Sequence, residues 1–245
     1  MADLYYEDIF KQNGASYHRA MQMCPAARDE EFGAVLSYLN ANGGQLLDVP
    51  AGGGYLEPYL PRSWRYLGRD FSGGFDSAHN QVIKCTEVDL GVPDSSVDAV
   101  ICLAALHHVE NREAFYQAAK AALKPGGMFL IGDVVKGTKE DAFLNGFVDE
   151  WNHLGHEGDF IDEARDIAQL EACGFCPQYK RHDYHWNFES RAQAMDYFRL
   201  LFTLNKTPPD SELSVAIDRL GGGLTGNAYQ TRWSLGFIQA RLSGA

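Results

Sequence analysis

The stretch LLDVPAGGGYL, residues 46–56, decides the fold class of this chain. It joins a short apolar run to an acid, Asp48, and then to three consecutive glycines, Gly52, Gly53 and Gly54. Glycines allow positive φ and let backbone N–H groups approach a bound group without a Cβ in the way. The pattern predicts a buried strand followed by a tight turn that holds a nucleotide or an anionic group. A tight turn that binds nothing would have the same pattern.

The rest of the chain alternates short apolar runs with amphipathic segments, which predicts an α/β fold with an open, doubly wound parallel sheet. The run AVICLAAL, residues 99–106, is apolar without alternation, as a strand covered on both faces should be. Further strands are predicted at residues 45–49, 65–68, 82–88, 128–135, 178–188 and 229–242. Helices are predicted at residues 29–40, 73–80, 112–123, 163–172 and 191–204, with a short helix ending at 220.

Composition narrows the function classes. Apolar residues are 45% and charged residues 22% of the 245 residues, which are ordinary globular values. The 33 acids and 21 bases leave a net charge of -12, and no basic stripe is segregated, so we expect neither a nucleic-acid partner nor an anionic membrane surface. No signal peptide or long apolar segment is evident, and five scattered cysteines do not form a disulfide framework. A cytoplasmic location is therefore expected.

Two more acids stand where predicted strands end. Asp70 follows the second strand in YLGRDFS, and a carboxylate there can accept hydrogen bonds from a ribose diol. Asp89 closes the third strand in TEVDLGVP and could receive the amine of adenine. Each acid alone could equally be a helix cap or a turn carboxylate. An NAD-dependent oxidoreductase is a weaker alternative, because the third glycine of its fingerprint falls on Glu57.

The chain resembles the class I S-adenosylmethionine-dependent methyltransferases, in particular their small-molecule methyltransferase-domain group. Four pieces carry the resemblance in the family's order: LDVPAGGG (47–54), YLGRDFS (66–72), VDLGVPDSSVDAVICLAALHHVEN (88–111) and LKPGGMFLIGDV (123–134). The resemblance implies a Rossmann-like, mostly parallel seven-stranded sheet with an antiparallel last strand. It also implies a helical cap inserted between the last two strands, and S-adenosylmethionine as the cofactor.

Cofactor residues follow from the resemblance. It implies that Asp48 and the glycine turn receive the amino-acid end of the cofactor, that Asp70 holds the ribose, and that Asp89 with Leu90 holds the adenine. Phe71, beside Asp70, joins this set, and Tyr17 is expected to fold over the cofactor from the N-terminal segment. Pro50 replaces the first glycine of the family's turn and has no N–H to donate.

Two adjacent histidines are the candidate catalytic residues. His107 and His108 follow the fourth predicted strand, at the edge where open α/β sheets bind ligands. The resemblance favours His108 as a general base, and a histidine that only packs against the next helix is the alternative. We expect no metal. The set Cys173, Cys176, His182 and His185 lacks zinc-finger spacing, and for His153 and His156 the sequence supplies no third or fourth ligand.

The sequence thus predicts one methyltransferase domain over residues 1–245. It divides into an N-terminal flap (1–28), a cofactor-binding core (29–188), a helical cap (189–227) and a final strand (228–245). The predicted activity is methyl transfer to a small-molecule acceptor by in-line displacement. A catalytically inactive S-adenosylmethionine-binding scaffold or regulatory protein is the alternative, and the sequence does not predict an oligomeric state.

Overall fold

The sheet is built around a short central strand. The computed structural model describes residues 6–75 and 82–242. The strands are β1 Gly44–Asp48, β2 Trp64–Asp70, β3 Ile83–Lys84, β4 Val97–Leu103, β5 Leu123–Asp133, β6 Phe175–Phe188, β7 Gly223–Thr225 and β8 Ala228–Leu242. Their order is β3-β2-β1-β4-β5-β8-β6, and β7 pairs with β8 at the side.

Strand directions agree with the predicted sheet. Strands β3, β2, β1, β4 and β5 run parallel, and β8 pairs antiparallel with both β5 and β6. The prediction of a mostly parallel sheet with an antiparallel last strand is confirmed, and β7 adds a short eighth strand. Parallel strands end at one edge of a sheet, so the carboxyl ends of β1, β2, β4 and β5 lie side by side.

Helices cover both faces. They are α1 Tyr6–Met23, α2 Asp29–Leu36, α3 Arg112–Ala122, α6 Glu163–Ala172, α7 Arg191–Leu201 and α8 Asp210–Leu220. Between β5 and α6, the short helices α4 Lys139–Ala142 and α5 Asp149–Trp151 flank a π-helical segment, Phe143–Val148. Side chains of Asn111, Asp162 and Ser190 cap α3, α6 and α7 by accepting a backbone N–H. Among the described residues, no helix has the length and apolarity to cross a bilayer.

Alternate residues of the strands enter two cores. Leu46 and Ala99 pack with α2, α7 and α8 on one face, whereas Leu47 and Val100 pack with α3 and α6 on the other. All four side chains are at most 1% exposed. Burial on both faces explains why these strands are apolar without alternation.

Several connections differ from the predicted pattern. The connection from β1 to β2 contains a 3-10 turn, Glu57–Tyr59, and no α-helix. Helix α2 ends at Leu36 and not near 40. Of the predicted helix at 73–80, residues 73–75 form a turn and residues 76–80 lie outside the described residues. Helix α1 and the segment from α4 to α5 were not predicted as helices.

Candidate active site

Three strand ends supply acids to the site, and a fourth strand ends beside them. Asp48, Asp70 and Asp133 are the last residues of β1, β2 and β5, and Ala104 follows the last residue of β4. All three acids are at most 4% exposed. Buried carboxylates are costly unless hydrogen bonds or cations compensate them, so the partners of each acid indicate its role.

Asp48 has one protein hydroxyl as a partner. The Tyr66 hydroxyl donates to its Oδ2 over 2.8 Å. Burial raises the pKa of Asp48 to about 7, with the Tyr66 hydrogen bond opposing the rise and the charge of Asp70 adding to it. A carboxyl group in this state would gain from a bound cation, because a nearby positive charge favours its ionised form.

Asp70 is bonded more fully. Its Oδ2 accepts from the Gly52 N–H over 2.7 Å and from the Tyr6 hydroxyl over 2.9 Å, and its Oδ1 accepts from the Ser72 N–H over 2.8 Å. Burial raises its pKa to about 6, and these hydrogen bonds oppose the rise. Asp70 thereby ties the glycine turn, the end of β2 and helix α1 together.

The first cavity, called here the cofactor cavity, has a volume of about 520 Å³. Its walls include Asp48, Gly52, Tyr55, Phe75 and Ala104, and Tyr17 closes it from α1. Gly52 and Gly54 have φ of 54° and 73°, a conformation that glycine adopts without strain. The turn thus leaves an open space above a buried acid, as a ligand with a cationic amino group requires.

The other predicted cofactor residues lie outside that lining: Gly53, Gly54, Asp70, Phe71, Asp89 and Leu90. At Gly53, a Cβ would lie 2.4 Å from the Tyr55 ring, so a side chain is sterically excluded there. Phe71 and Leu90 are buried in the core on the α3 side. Asp89 is exposed, and its Oδ1 accepts from the Gly91 N–H over 3.0 Å. Cofactor contacts of these residues stay predictions.

The second cavity, called here the acceptor cavity, adjoins the first and has a volume of about 810 Å³. Phe10, Tyr17, Arg28 and Ala104 line both cavities. These four residues mark the boundary across which a group could pass from one bound molecule to another.

His107 and Asp133 form a buried pair on the wall of the acceptor cavity. Nδ1 of His107 lies 2.8 Å from Oδ1 of Asp133, and the His107 backbone N–H donates to Oδ2 over 3.0 Å. Burial alone would raise the pKa of Asp133, but the charge and hydrogen bonds of His107 outweigh it and lower the pKa. The ionised carboxylate holds Nδ1 and thereby orients the ring, so Nε2 is the nitrogen that is not bound to Asp133.

His108 and His156 complete a cluster with His107. Ring centroids of His108 and His156 lie 5.3 Å apart, and all three rings line the acceptor cavity. Burial, together with the rings of His107 and His156, holds the pKa of His108 well below its usual range. Burial and the His107 ring lower the pKa of His156 to about 3. His108 is therefore a neutral imidazole at pH 7, and its role as a base stays a prediction.

Stacked aromatic rings form the opposite wall. The Trp186 and Trp233 centroids lie 4.4 Å apart with an interplanar angle of 18°, and Phe202 stacks on Trp233 at 6.0 Å. Beside them, Arg28 forms a buried ion pair with Glu31, and its guanidinium lies 5.5 Å from the Trp186 ring centroid. Since Arg28 and Glu31 neutralise each other, this side of the cavity is apolar and aromatic.

Sequence reasoning missed several residues of the site. Tyr6 gave no local signal, because its partner Asp70 lies 64 residues away, and Arg28 was not singled out either. Asp133 could have been found by the same rule that found Asp48 and Asp70, since it also ends a parallel strand. Thr203 also lines the acceptor cavity, and its buried hydroxyl has no hydrogen-bond partner among the described residues.

The family model described as a methyltransferase domain matches residues 47–131. No curated protein matches the sequence.

Solved structures share the fold at low identity. The YcgJ protein of Bacillus subtilis is 17% identical, with a TM-score of 0.58, covering 89% of this chain and 100% of that chain. An S-adenosylmethionine-dependent methyltransferase of Thermotoga maritima, described as a possible histamine N-methyltransferase, is 16% identical, with a TM-score of 0.62, covering 96% and 99%. Phosphoethanolamine N-methyltransferase 2 of Haemonchus contortus, solved with S-adenosyl-L-methionine, is 14% identical, with a TM-score of 0.63, covering 99% of this chain and 61% of that chain. At these identities the likeness establishes the fold alone.

Proposed function

We propose that the chain is a class I S-adenosylmethionine-dependent methyltransferase that methylates a small molecule bound in the acceptor cavity, and the methyltransferase-domain match over residues 47–131 supports this. The observation that carries the proposal is the shared boundary of Phe10, Tyr17, Arg28 and Ala104 between two cavities of different character. One contains the glycine turn and a buried acid, and the other contains histidines and stacked aromatic rings.

We assign S-adenosylmethionine to the cofactor cavity because Asp48, Gly52 and Tyr17 line it. When bound, this cofactor supplies an electrophilic methyl group on a sulfonium sulfur, and an acceptor attacks that methyl in line as the C–S bond breaks. Asp48 would bind the cationic amino group, which compensates a buried carboxyl group that has only the Tyr66 hydroxyl as its hydrogen-bond partner among the described residues. Asp70 would hold the ribose, and its bond to the Gly52 N–H keeps the turn open. Asp89, Leu90, Phe71 and Tyr17 complete the proposed cofactor set.

The acceptor cavity favours a planar, largely apolar molecule. Its stack of Trp186, Trp233 and Phe202 offers flat ring faces, and Arg28 and Glu31 are already paired with each other. His107 and His108 would lie against the reacting group and activate it. Holding donor and acceptor in line while excluding water accounts for most of the rate enhancement expected of such an enzyme.

An assay with methyl-labelled S-adenosylmethionine tests this proposal. Purified protein would be incubated with panels of phenols, heteroaromatic amines, carboxylates and thiols, and separately with RNA and with a protein mixture. We expect label in a small-molecule fraction, loss of labelling in Asp48→Asn, and unchanged labelling in Asp94→Asn, which alters an exposed acid. Label in RNA or protein alone would contradict the proposal, and cofactor binding with no labelled product would support an inactive scaffold.

The cellular location of the protein and its macromolecular partners are also proposals. We propose a cytoplasmic protein that binds neither nucleic acid nor a membrane, on the strength of its net charge of -12 and its scattered cysteines.

A further inference from the structure

Three histidines from two distant segments meet on one wall of the acceptor cavity. His107 and His108 follow β4, and His156 lies in the loop after α5. Each offers a ring nitrogen, and the three nitrogens lie within 4.8 Å of one another. Among the described residues, no other group of three or more His, Cys, Asp or Glu side chains has metal-binding geometry.

Two of the rings are oriented by hydrogen bonds through Nδ1. Nδ1 of His107 bonds to Asp133, and Nδ1 of His156 lies 3.1 Å from Oδ1 of Asn145. The Asn145 amide is itself fixed, because its Nδ2 donates to Gly158 O over 2.9 Å and to Asp141 Oδ1 over 3.1 Å. Its oxygen must therefore accept from His156, which places the proton of His156 on Nδ1 and the lone pair on Nε2.

This arrangement is the one that metal-binding histidines adopt. Such a histidine almost always donates its other ring N–H to a carboxylate, carbonyl or water, which fixes the tautomer.

The distances allow an ion to be held. Three atoms within 4.8 Å of one another lie at most about 2.8 Å from a common centre, against zinc–imidazole bonds of about 2.0–2.1 Å. Each ring thus needs to move by less than about 1 Å. Catalytic zinc sites have three protein ligands and one open position, whereas structural zinc sites have four protein ligands.

We propose that His107, His108 and His156 bind one divalent first-row transition ion, with the open coordination position facing the acceptor cavity. The inference rests on the proposed function, since the ion would activate the acceptor. An acceptor hydroxyl that enters the open position loses its proton to water, because the ion stabilises the resulting oxygen anion. That oxygen then attacks the methyl carbon, and the electron pair of the broken C–S bond stays on sulfur.

Titration calorimetry with zinc tests the site. The protein carries no tag, and it is first stripped of metal with a chelator and dialysed. We expect about one zinc ion per chain and at least about a 100-fold loss of affinity in His156→Gln, which removes one of three ligands. The matched control is His153→Gln, an exposed histidine of the same loop, which should leave zinc affinity unchanged. Asn145→Ala, which removes the orienting acceptor, should weaken zinc binding by about 10–100-fold.

Cobalt(II) provides a second measurement. A four-coordinate cobalt site in the wild-type protein should give a visible absorption band that His156→Gln loses and His153→Gln keeps. Thermal melting and S-adenosylhomocysteine binding of each variant report whether it is folded. The proposal is overturned if the stripped protein binds no zinc, or if His153→Gln loses as much affinity as His156→Gln.

The same titrations separate this inference from the proposed function. If S-adenosylhomocysteine binds and zinc does not, the metal site alone is wrong. If S-adenosylhomocysteine does not bind, the proposed function fails whatever zinc does.

Discussion

At the residue scale, the buried acids of the site differ in the number of hydrogen bonds that they accept. Among residues 6–75 and 82–242, Asp70 accepts three hydrogen bonds, whereas Asp48 accepts one, from Tyr66. The less satisfied acid is the one that gains more from a ligand, since a cation there compensates its desolvation. We therefore expect cofactor affinity to depend on pH through Asp48.

Cofactor affinity should rise with pH. The pKa of Asp48 is about 7 before binding, and a cationic amino group favours its ionised form, so affinity is lost as pH falls through 7. We expect S-adenosylhomocysteine to bind more tightly at pH 8 than at pH 6. Asp48→Asn should bind about 10–100-fold more weakly at pH 8, the worth of one charged hydrogen bond.

The pH profile of the variant is the control for this prediction. Asp48→Asn should keep only the smaller dependence near pH 6 that Asp70 contributes. Calorimetry at three pH values measures both profiles. A wild-type profile that is flat, or one that Asp48→Asn shares, would contradict the assignment.

Asp133 should act as a positioning residue through His107. Asp133→Asn keeps the shape of the side chain but removes the charge that fixes the ring, so we expect kcat to fall about 10–100-fold. Cofactor affinity should change little, because Asp133 does not line the cofactor cavity. Steady-state kinetics beside an S-adenosylhomocysteine titration separates the two effects. Equal losses in both would mean that the variant is merely misfolded.

Thr203 should contribute to acceptor recognition. Its hydroxyl is buried on the cavity wall without a partner among the described residues, and its φ is 47°. Thr203→Val keeps the branched shape and removes the hydroxyl. We expect the KM for a polar acceptor to rise by about tenfold, the value of one neutral hydrogen bond, with kcat nearly unchanged. An unchanged KM would show that the acceptor does not contact this hydroxyl.

At the element scale, helix α1 closes the cofactor cavity. Tyr6 bonds to Asp70, Phe10 and Tyr17 line both cavities, and Gly14 of α1 approaches Gly74 so closely that a Cβ on Gly14 would lie 2.3 Å from Gly74 O. The sequence pattern did not predict this helix, because it packs against the loop at Gly74 as well as α7, and its buried positions include the polar Asn13 and Gly14. The strands were easier to predict, since burial on both faces requires uninterrupted apolar runs.

A pair of glycine variants tests the docking of α1. A Cβ at Gly74 would lie 1.8 Å from Phe10 O, whereas a Cβ at Gly73 meets nothing within 4 Å. We expect Gly74→Ala to displace α1 and to weaken S-adenosylhomocysteine binding by about tenfold or more, while Gly73→Ala binds like the wild type. Calorimetry measures both. Equal affinities of the two variants would show that cofactor binding does not depend on this contact.

At the scale of the whole molecule, one edge of the sheet gathers the site. The sequence predicted the acids at the ends of β1 and β2 and the histidines after β4, because strand ends can be recognised from the local sequence pattern. The sequence did not predict that Arg28 and Asn145 belong to the site or that His156 contacts His107. These contacts depend on how α2 and the loop after α5 pack. The proposed division at residues 28, 188 and 227 stays a prediction.

The central claim is that donor and acceptor meet at the boundary of the two cavities. A crystal structure with S-adenosylhomocysteine tests it most directly. We expect the amino group to lie against Asp48, the ribose against Asp70, and the sulfur beside Ala104 with its open side toward His107. A ligand bound elsewhere, or a sulfur that faces away from the acceptor cavity, would contradict it.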